Sequence, residues 1–512
     1  MSDDHIAIKL NVGQDDGMTP ASTPEDISSD GSEIVQEIYD EIIHYYKEMG
    51  CPWVIGYSGG KDSSVVLQMI WYAIRSLKPD ERIHPIYVVA SDTLVENPSI
   101  SLRLLWIIKR LNELAIKHNM PLTAEIVPPD LKDSFWVNLI GRGYPAPTQQ
   151  FRWCTERLKI RPITRAIEAK RNKSDRLVIA VGTRFEESNT RKRVMEERRK
   201  NLESEFGGKI TRHPELINTY VYSPIEELST HDVWLYLLTT SAPWDVEEPE
   251  EEKEDSRKTD NELLYELYRD ASGGECPLVI TDDTEPCGGS RFGCWTCTLV
   301  KRDTTAETLF ERGQSWLKPL LDIRKKLTNT QPPEEKKKYR DYKRRTGGVN
   351  FHRNNPMEMV HGPYYLWFRK EVLKDVLEAQ AQLRTSSPYP DITLISLEEL
   401  KNVRRIWRVE EGDWEDSVRV IYREVFDEEP PFVDDDLDVF DIQEKEILSE
   451  ICEKYEVPLK LILRLIELER ELSGFIRRTN LKKRLKKIIN EEWRPKDEIL
   501  EDRQHLLDMR LD

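Results

Sequence analysis

A short apolar segment followed at once by a glycine-rich turn is the feature that most limits the fold of this 512-residue chain. The segment WVIGY, Trp53 to Tyr57, predicts a buried strand, and the run SSVVLQMIWYAIRSL after the turn predicts a helix. Further strand-like segments at 83–90 and 176–183 alternate with helical patterns, including those at 102–118 and 161–171. Alternating strands and helices predict an α/β fold with a parallel sheet.

The turn reads SGGKDS and has the composition of an anion-binding loop. Its glycines let the backbone approach an anion closely, and the first amides of the following helix are donors at the positive end of the helix dipole. The lysine adds charge, the serines add hydroxyls, and the aspartate either caps the helix or orients a magnesium-bound water. An ordinary strand-to-helix turn is the alternative. The loop residues are Ser58, Gly59, Gly60, Lys61, Asp62 and Ser63.

The overall charge is acidic, since 76 Lys and Arg face 94 Asp and Glu, for a formal net charge of −18. This balance argues against coating nucleic acid through bulk charge, although a local basic groove stays open. No apolar run approaches the roughly 20 residues of a membrane span, so no membrane association is expected. The polar N-terminal segment shows no signal-peptide pattern, and a cytoplasmic location is expected.

Seven cysteines are present, and an odd number in such a chain argues against a disulfide framework. The spacing Cys287-x6-Cys294-x2-Cys297 predicts a metal or cluster site, because a C-x-x-C turn directs two thiolates at one metal. Three local thiolates need a fourth ligand, for which Cys154 and Cys276 are the candidates. A structural zinc held by Cys276 and the three local cysteines is the alternative.

Five motifs in order resemble the pyrophosphatase-loop family, whose signature is SGGxDS, and specifically its sulfonucleotide reductase branch. After the loop come SDT at 91–93, RWCTERLKIRP at 152–162, GTRFEESNTR at 182–191 and SPIEELSTHDVWLYL at 223–237. The resemblance implies a HUP-like ATP pyrophosphatase domain that cleaves ATP between the α- and β-phosphates with Mg²⁺. The residues it implies for ATP are Ser58, Gly59, Gly60, Lys61, Asp62, Ser63, Asp92, Gly182, Arg184 and Arg191, of which Lys61, Asp62 and Arg184 are the expected catalytic residues.

Several residues of these motifs also have a physical interpretation of their own. Arg184 and Arg191 suit anion binding at the carboxyl ends of the strands, where open α/β sheets place ligands. Alternatively, Arg184 and Glu187 form an ordinary surface pair. Asp232 is expected to lie in the first turn of a helix capped by Ser229 or Thr230.

The resemblance also bears on the cysteines. Cys154 matches a cysteine that ligates a 4Fe–4S cluster in the iron–sulfur members of the branch, although those members carry a Cys-Cys pair where this chain has a single cysteine. Cys287 supplies the missing ligand. The predicted cluster ligands are therefore Cys154, Cys287, Cys294 and Cys297. Cys51 and Cys452 are expected to be inert core thiols.

The whole chain resembles the DndC family, the ATP-pyrophosphatase and sulfurtransferase subunits of bacterial DNA phosphorothioation. The resemblance implies that ATP activates a DNA phosphate and that sulfur from a cysteine desulfurase is inserted, together with other phosphorothioation subunits. Basic segments at 191–200, 334–345 and 477–487 are candidate phosphate contacts, the first being favoured.

Other functions stay open at this point. A sulfonucleotide reductase is disfavoured because no cysteine follows Cys452. Thiolation of tRNA and a non-catalytic DNA-binding subunit are further alternatives. The predicted organisation is a mobile tail at 1–30, the pyrophosphatase domain with its cysteine-rich segment at 31–305, a helical extension at 306–425 and a C-terminal helical region at 426–512.

Overall fold

The computed structural model describes residues 29–171, 176–187, 209–214, 216–245, 258–271, 293–432, 442–473 and 480–509. The predictions made for Arg191, Cys276 and Cys287 lie outside the described residues. The chain divides into two compact units. The first consists of residues 1–129, 155–295 and 302–318, and the second of 130–154, 296–301 and 319–512. The domain boundaries expected from the sequence stay predictions.

A six-stranded sheet organises the first unit, and its strand order is β3-β2-β1-β4-β6-β5. All neighbouring strands are parallel except β5 and β6, which are antiparallel. The predicted α/β fold with a parallel sheet is therefore confirmed. The strands are β1 (Trp53–Tyr57), β2 (Ile86–Ser91), β3 (Leu122–Val127), β4 (Leu177–Ala180), β5 (Ile210–Arg212) and β6 (Thr219–Tyr222).

Seven helices of the first unit are described. They are α1 (Ser29–Met49), α2 (Lys61–Ser76), α3 (Pro98–Lys117), α4 (Arg161–Arg171), α5 (Thr230–Thr239), α6 (Asp260–Ala271) and α7 (Thr304–Glu311). Helix α1 is amphipathic, and its buried residues Ile38, Ile42, Tyr45 and Met49 recur at the spacing of one helix face.

The central strands are buried on both faces, as parallel sheets require. Trp53, Ile55 and Tyr57 of β1 join the larger core on one face, whereas Val54 joins a smaller core on the other. Strand β2 begins at Ile86, three residues later than the apolar pattern predicts. Ile83 is 68% exposed, so its apolar character is not used in the core.

The second unit is helical, and no strand longer than an isolated bridge occurs in its described residues. Its helices are α8 (Lys318–Asn329), α9 (Pro333–Tyr339), α10 (Leu366–Ser386), α11 (Leu397–Ile406), α12 (Ser417–Phe426), α13 (Ile442–Lys454), α14 (Leu459–Ser473), α15 (Leu481–Ile489) and α16 (Lys496–Asp508). The helical character predicted beyond residue 305 is confirmed.

Buried tryptophans connect the early segment of the second unit to its later helices. The indole N–H of Trp136 donates to the Leu394 carbonyl at 2.7 Å, and that of Trp407 donates to the Ile140 carbonyl at 2.9 Å. Residues 130–154 therefore belong to the helical unit although they precede most of it in sequence. No described helix is long and apolar enough to cross a membrane.

Helix α5 begins with the cap that the sequence predicts. The Ser229 hydroxyl accepts from the Asp232 amide at 3.2 Å, and the Asp232 carboxylate accepts from the Ser229 amide at 2.8 Å. This reciprocal pair satisfies two amides that a helix start would leave without partners.

Replacing Ser229 with Ala removes one half of this pair, and we expect the opening free energy of α5 to fall by about 1 kcal/mol. Native-state hydrogen exchange of peptides from α5 measures the change. Ser229→Asp keeps an acceptor and should retain protection, and peptides from α10 should be unaffected by either change. Equal protection of α5 in the wild type and Ser229→Ala would contradict the capping role.

Candidate functional site

The SGGKDS loop joins the carboxyl end of β1 to the start of α2, as the sequence predicts. Gly59 has a φ of +75°, a conformation that favours glycine. The hydroxyls of Ser58 and Ser63 lie 3.1 Å apart, and the Ser63 hydroxyl also donates to the Gly60 carbonyl at 3.0 Å. The loop is thus folded back on itself at the amino end of α2, where helix amides and the dipole favour an anion.

Asp62 is the centre of an ion-pair network rather than the helix cap, which is Gly60. One carboxylate oxygen of Asp62 accepts from Lys61 Nζ at 2.7 Å, and the other accepts from Arg184 Nε at 2.7 Å. All three of the predicted catalytic side chains therefore meet. The Lys61 and Arg184 charges lie at the loop itself, where they suit a polyanionic ligand.

Arg184 is 2% exposed, so the alternative of a surface pair with Glu187 is wrong. Its guanidinium donates to Glu186 at 2.8 Å, to the Leu228 carbonyl at 3.1 Å and to the Thr230 hydroxyl at 3.1 Å. Burial disfavours the Arg184 charge, but the carboxylates of Asp62 and Glu186 outweigh it, and the pKa of Arg184 is raised above its ordinary value. The arginine is a fixed cation at this site.

Gly182 makes the closest backbone approach to the loop. A Cβ at this position would lie 2.8 Å from the carbonyl carbon of Asp62 and 3.0 Å from the amide nitrogen of Ser63. The first contact is shorter than a side-chain carbon tolerates and the second is very tight, so a residue larger than glycine would displace the start of α2. The structure thereby assigns Gly182 a steric role next to the loop.

Two charged residues that the sequence analysis missed hold the loop from the other side. Arg103 Nη1 donates to the Gly59 carbonyl at 2.7 Å, and its guanidinium also forms a two-point contact with Asp260, with both distances 2.7 Å. Asp260 in turn accepts from the Trp244 indole at 2.8 Å. No local pattern marks these residues, because Arg103 lies in an ordinary helix and Asp260 is 157 positions away.

The carboxyl end of β2 carries a second group of polar side chains. Asp92 accepts from the Leu94 amide at 2.8 Å, and burial raises the pKa of the Asp92 carboxyl although this hydrogen bond opposes the shift. Thr93 is fully buried, and its hydroxyl lies 3.0 Å from Glu96 and 3.3 Å from the Cys294 sulfur.

The Cys294 segment is attached to the first unit by its backbone as well. The Trp295 amide donates to the Val95 carbonyl at 3.0 Å, and Glu96 and Cys294 form an isolated antiparallel bridge. One predicted cluster ligand therefore lies beside the carboxyl end of β2, the sheet edge where open α/β folds bind ligands.

The other described cysteines are distributed differently. Cys154 and Cys297 belong to the second unit, where the Cys297 carbonyl accepts from Arg324 Nε at 2.9 Å. In the part of the chain that the structure describes, no three His, Cys, Asp or Glu residues are grouped to hold a metal. Because Cys287 lies outside the described residues, the predicted set of four ligands stays a prediction. Cys51 and Cys452 are buried, and burial raises the pKa of the Cys51 thiol to about 11.

Two family models match the chain. Residues 52–246 match the phosphoadenosine phosphosulfate reductase domain. Residues 443–490 match a model described as a small protein found in certain Dnd DNA modification systems. These matches fit the pyrophosphatase-loop family and the Dnd systems, and they support a sulfur-transfer or sulfonucleotide-like enzyme.

Comparisons with individual proteins give no further support for a function. No curated protein matches the chain. Among solved structures, the U34-tRNA thiolase NcsA from Methanococcus maripaludis with its 4Fe–4S cluster is 15% identical and covers 46% of this chain and 72% of its own. The TM-score of 0.27 is too low for that structure to bear on the geometry here.

We predict that Gly182→Ala weakens binding of a non-hydrolysable ATP analogue by roughly tenfold, equivalent to about 1.4 kcal/mol. The added methyl group would push the Asp62 backbone, and with it the loop, out of position. Isothermal titration calorimetry measures the effect. Gly56→Ala is the control, since a Cβ there would meet only the Ala180 carbonyl oxygen at an ordinary 3.9 Å. Equal affinity of the Gly182→Ala protein and the wild type would contradict the steric role.

Proposed function

We propose that this protein inserts sulfur into the DNA backbone, using ATP to activate a phosphate and releasing pyrophosphate. The observation that carries the proposal is the phosphate loop held by the Asp62–Arg184 ion pair at the carboxyl edge of a parallel sheet. The match of residues 443–490 to a component of Dnd DNA modification systems favours DNA as the substrate.

The proposed reaction has two displacements. A non-bridging oxygen of a DNA phosphodiester attacks the α-phosphorus of ATP, the bond to the β-phosphate oxygen breaks, and pyrophosphate leaves. Sulfur at the oxidation level of hydrosulfide then attacks the DNA phosphorus, AMP departs with the activated oxygen, and a phosphorothioate remains. If a cysteine desulfurase supplies the sulfur as a persulfide, a thiol reductant provides the two electrons that reduce this sulfur to the level of hydrosulfide.

The residues of the loop have separable roles in this scheme. The amides at the start of α2 donate to the phosphates of ATP. The Ser58 and Ser63 hydroxyls, which bond to each other and to the Gly60 carbonyl within the loop, turn to donate to the phosphates when ATP binds. Lys61 and Arg184 offset the charge that develops on the leaving pyrophosphate. Asp62 keeps both cations in place, because it accepts from each of them at 2.7 Å. The pairing of Lys61, Asp62 and Arg184 with one another supports this scheme, because groups that are already positioned cost little to order.

Magnesium and a 4Fe–4S cluster complete the proposal. Carboxylate oxygens are ligands that Mg²⁺ accepts, and Asp62 and Asp92 are two of the carboxylates at this edge of the sheet. A 4Fe–4S cluster takes four thiolates, for which Cys154, Cys287, Cys294 and Cys297 are the proposed residues. When bound, such a cluster can hold or relay sulfur. The position of Cys294, 3.3 Å from Thr93, supports a site near the loop-bearing edge.

A sulfonucleotide-converting enzyme is the second candidate. The match of residues 52–246 to the phosphoadenosine phosphosulfate reductase domain favours it, because the same loop and arginine suit the phosphates of such a substrate. The two candidate reactions form different products, so identifying the product distinguishes them.

The main prediction concerns the product. Mass spectrometry of digested host DNA should detect phosphorothioate dinucleotides with the wild-type protein and its partner subunits, and none with Asp62→Ala. The purified Asp62→Ala protein should also release pyrophosphate from ATP at least about a hundredfold more slowly, since Lys61 and Arg184 lose their shared carboxylate. If the wild-type system formed no phosphorothioate, or formed thiolated tRNA nucleosides or sulfite instead, DNA phosphorothioation would be rejected.

A matched pair of glycine variants controls for backbone strain in this assay. Gly59 and Gly313 both have positive φ, +75° and +99°, so valine strains either position. Nothing lies within 4 Å of a Cβ at Gly313, whereas Gly59 forms the loop. Gly59→Val should lose pyrophosphate release and Gly313→Val should keep it. Normal release by folded Gly59→Val would remove the loop from the mechanism.

A second prediction concerns the metal. Protein purified without oxygen should be brown and contain about four irons per chain, the stoichiometry of a cysteine-ligated four-iron centre. Cys154→Ser should lose iron, whereas Cys276→Ser and the buried-thiol control Cys452→Ser should retain it. Iron and zinc analysis measures all three. A colourless protein with one zinc, lost in Cys276→Ser and kept in Cys154→Ser, would favour the local zinc site instead.

A further inference from the structure

A cavity of about 310 Å³ lies within the second unit, and none of the loop residues line it. This volume is at the lower end of the roughly 300–1,000 Å³ typical of small-molecule sites, so it suits a ligand of about one nucleotide in size. Its wall combines cations from the basic segment 334–345 with aromatic rings from a turn near residue 150. The lining residues that matter here are Tyr144, Phe151, Lys336, Arg340, Arg344 and Arg345.

The cavity carries positive charge that nearby carboxylates do not neutralise. Within the described ranges, no carboxylate pairs with Lys336, Arg340 or Arg344, and only Arg345 has one, Glu410, at 3.7 Å. Burial lowers the pKa of Arg340, and the charge of Arg344 acts in the same direction. An anion in the cavity would relieve this repulsion between like charges.

The two inner arginines are held in place by backbone carbonyls. Arg340 donates to the Gly362 carbonyl at 2.8 Å and to the His361 carbonyl at 2.6 Å. Arg344 donates to the same His361 carbonyl at 3.0 Å. A guanidinium has five N–H donors, so these bonds fix its plane and leave donors for a ligand. Such fixed forks suit phosphate oxygens.

A stacked aromatic pair also lines the cavity. The rings of Tyr144 and Phe151 are nearly parallel, at 5° with centroids 6.2 Å apart, and Phe151 is 44% exposed. The Arg345 guanidinium lies 5.1 Å from the Tyr144 ring centroid. Two backbone hydrogen bonds between Thr148 and Phe151, at 3.3 and 3.0 Å, close the turn that presents the ring. An exposed ring beside cations is the arrangement on which nucleic-acid bases stack.

We propose that this cavity binds a nucleotide unit of a DNA strand. Its phosphate lies against Lys336, Arg344 and Arg345, and its base stacks on Phe151. The nucleotide chemistry follows from the cations and the ring. The choice of a DNA strand rests on the proposed function, and a free mononucleotide shares the same chemistry.

Binding of a short fluorescein-labelled oligothymidylate to the full chain, measured by anisotropy over a salt series, tests the cations. The double variant Lys336→Ala/Arg345→Ala should bind at least about tenfold more weakly, and its salt slope should be smaller by roughly 0.7 for each phosphate that the variant no longer binds. Lys337→Ala/Lys338→Ala is the matched control. Both lysines lie on the same helix as Lys336, but they are exposed and do not line the cavity. This variant removes the same total charge as the first. Equal weakening by the two double variants would overturn the site.

Two substitutions of Phe151 test the ring. Phe151→Leu keeps an apolar side chain but removes the stacking surface, and it should weaken binding about tenfold, whereas Phe151→Tyr should bind as the wild type does. Because Phe151 is exposed, neither change disturbs a core. Wild-type affinity of Phe151→Leu would overturn the stacking contact.

Competition separates the sources of the ligand. Unlabelled oligothymidylate should compete at least about tenfold better than thymidine monophosphate. It should also compete better than an RNA strand of equal length. The reverse order in either comparison would overturn the assignment to a DNA strand. The variants should bind an ATP analogue normally, which shows that the first unit is intact, and an unchanged thermal unfolding profile shows that the second unit is folded. Loss of strand binding in these variants is independent of whether host DNA contains phosphorothioate, so failure of the site and failure of the proposed function are distinguishable.

Discussion

The buried guanidinium of Arg184 joins three segments that are distant in sequence. It donates to Asp62 at the start of α2, to Glu186 after β4, and to Leu228 and Thr230 at the start of α5. A buried charge is stable only when it is paired and hydrogen-bonded. The three segments therefore cannot shift independently, and the geometry of the phosphate loop depends on a contact made outside it. Truncating this arginine would remove the cation that Asp62 and Glu186 share.

The sheet and the loop could be predicted because their signals are local. Strand β1 and helix α4 begin and end where their apolar patterns do, and the cap at Ser229 follows from its own sequence neighbours. Such features depend on spacing over a few residues. The apolar pattern is wrong at the start of β2, where Pro85 and the exposed Ile83 precede the first paired residue, and the short strands β5 and β6 have no counterpart among the predicted strands.

The supporting contacts of the site could not be predicted, because they join residues far apart in sequence. Arg103 and Asp260 are 157 positions apart, and Thr93 and Cys294 are 201 positions apart. In sequence, Arg103 and Asp260 look like parts of ordinary helices, and Thr93 and Cys294 belong to separate motifs whose spacing does not indicate that they contact each other. The motifs identified the residues of the loop, whereas the residues that fix the loop in position are brought to it by long-range packing.

The acidic composition of the chain and a site for nucleic acid are compatible for a physical reason. Charges in solution are screened within roughly 8–10 Å at physiological ionic strength, so a phosphate responds to its immediate surroundings and not to the net charge of −18. Around the second-unit cavity, the described neighbours of Arg340 and Arg344 are carbonyls and rings rather than carboxylates. The loop differs, because Asp62 offsets Lys61 and Arg184 there. In the proposed sites, the cavity would therefore attract a phosphate by excess positive charge, whereas the loop would bind one through donors held by ion pairs.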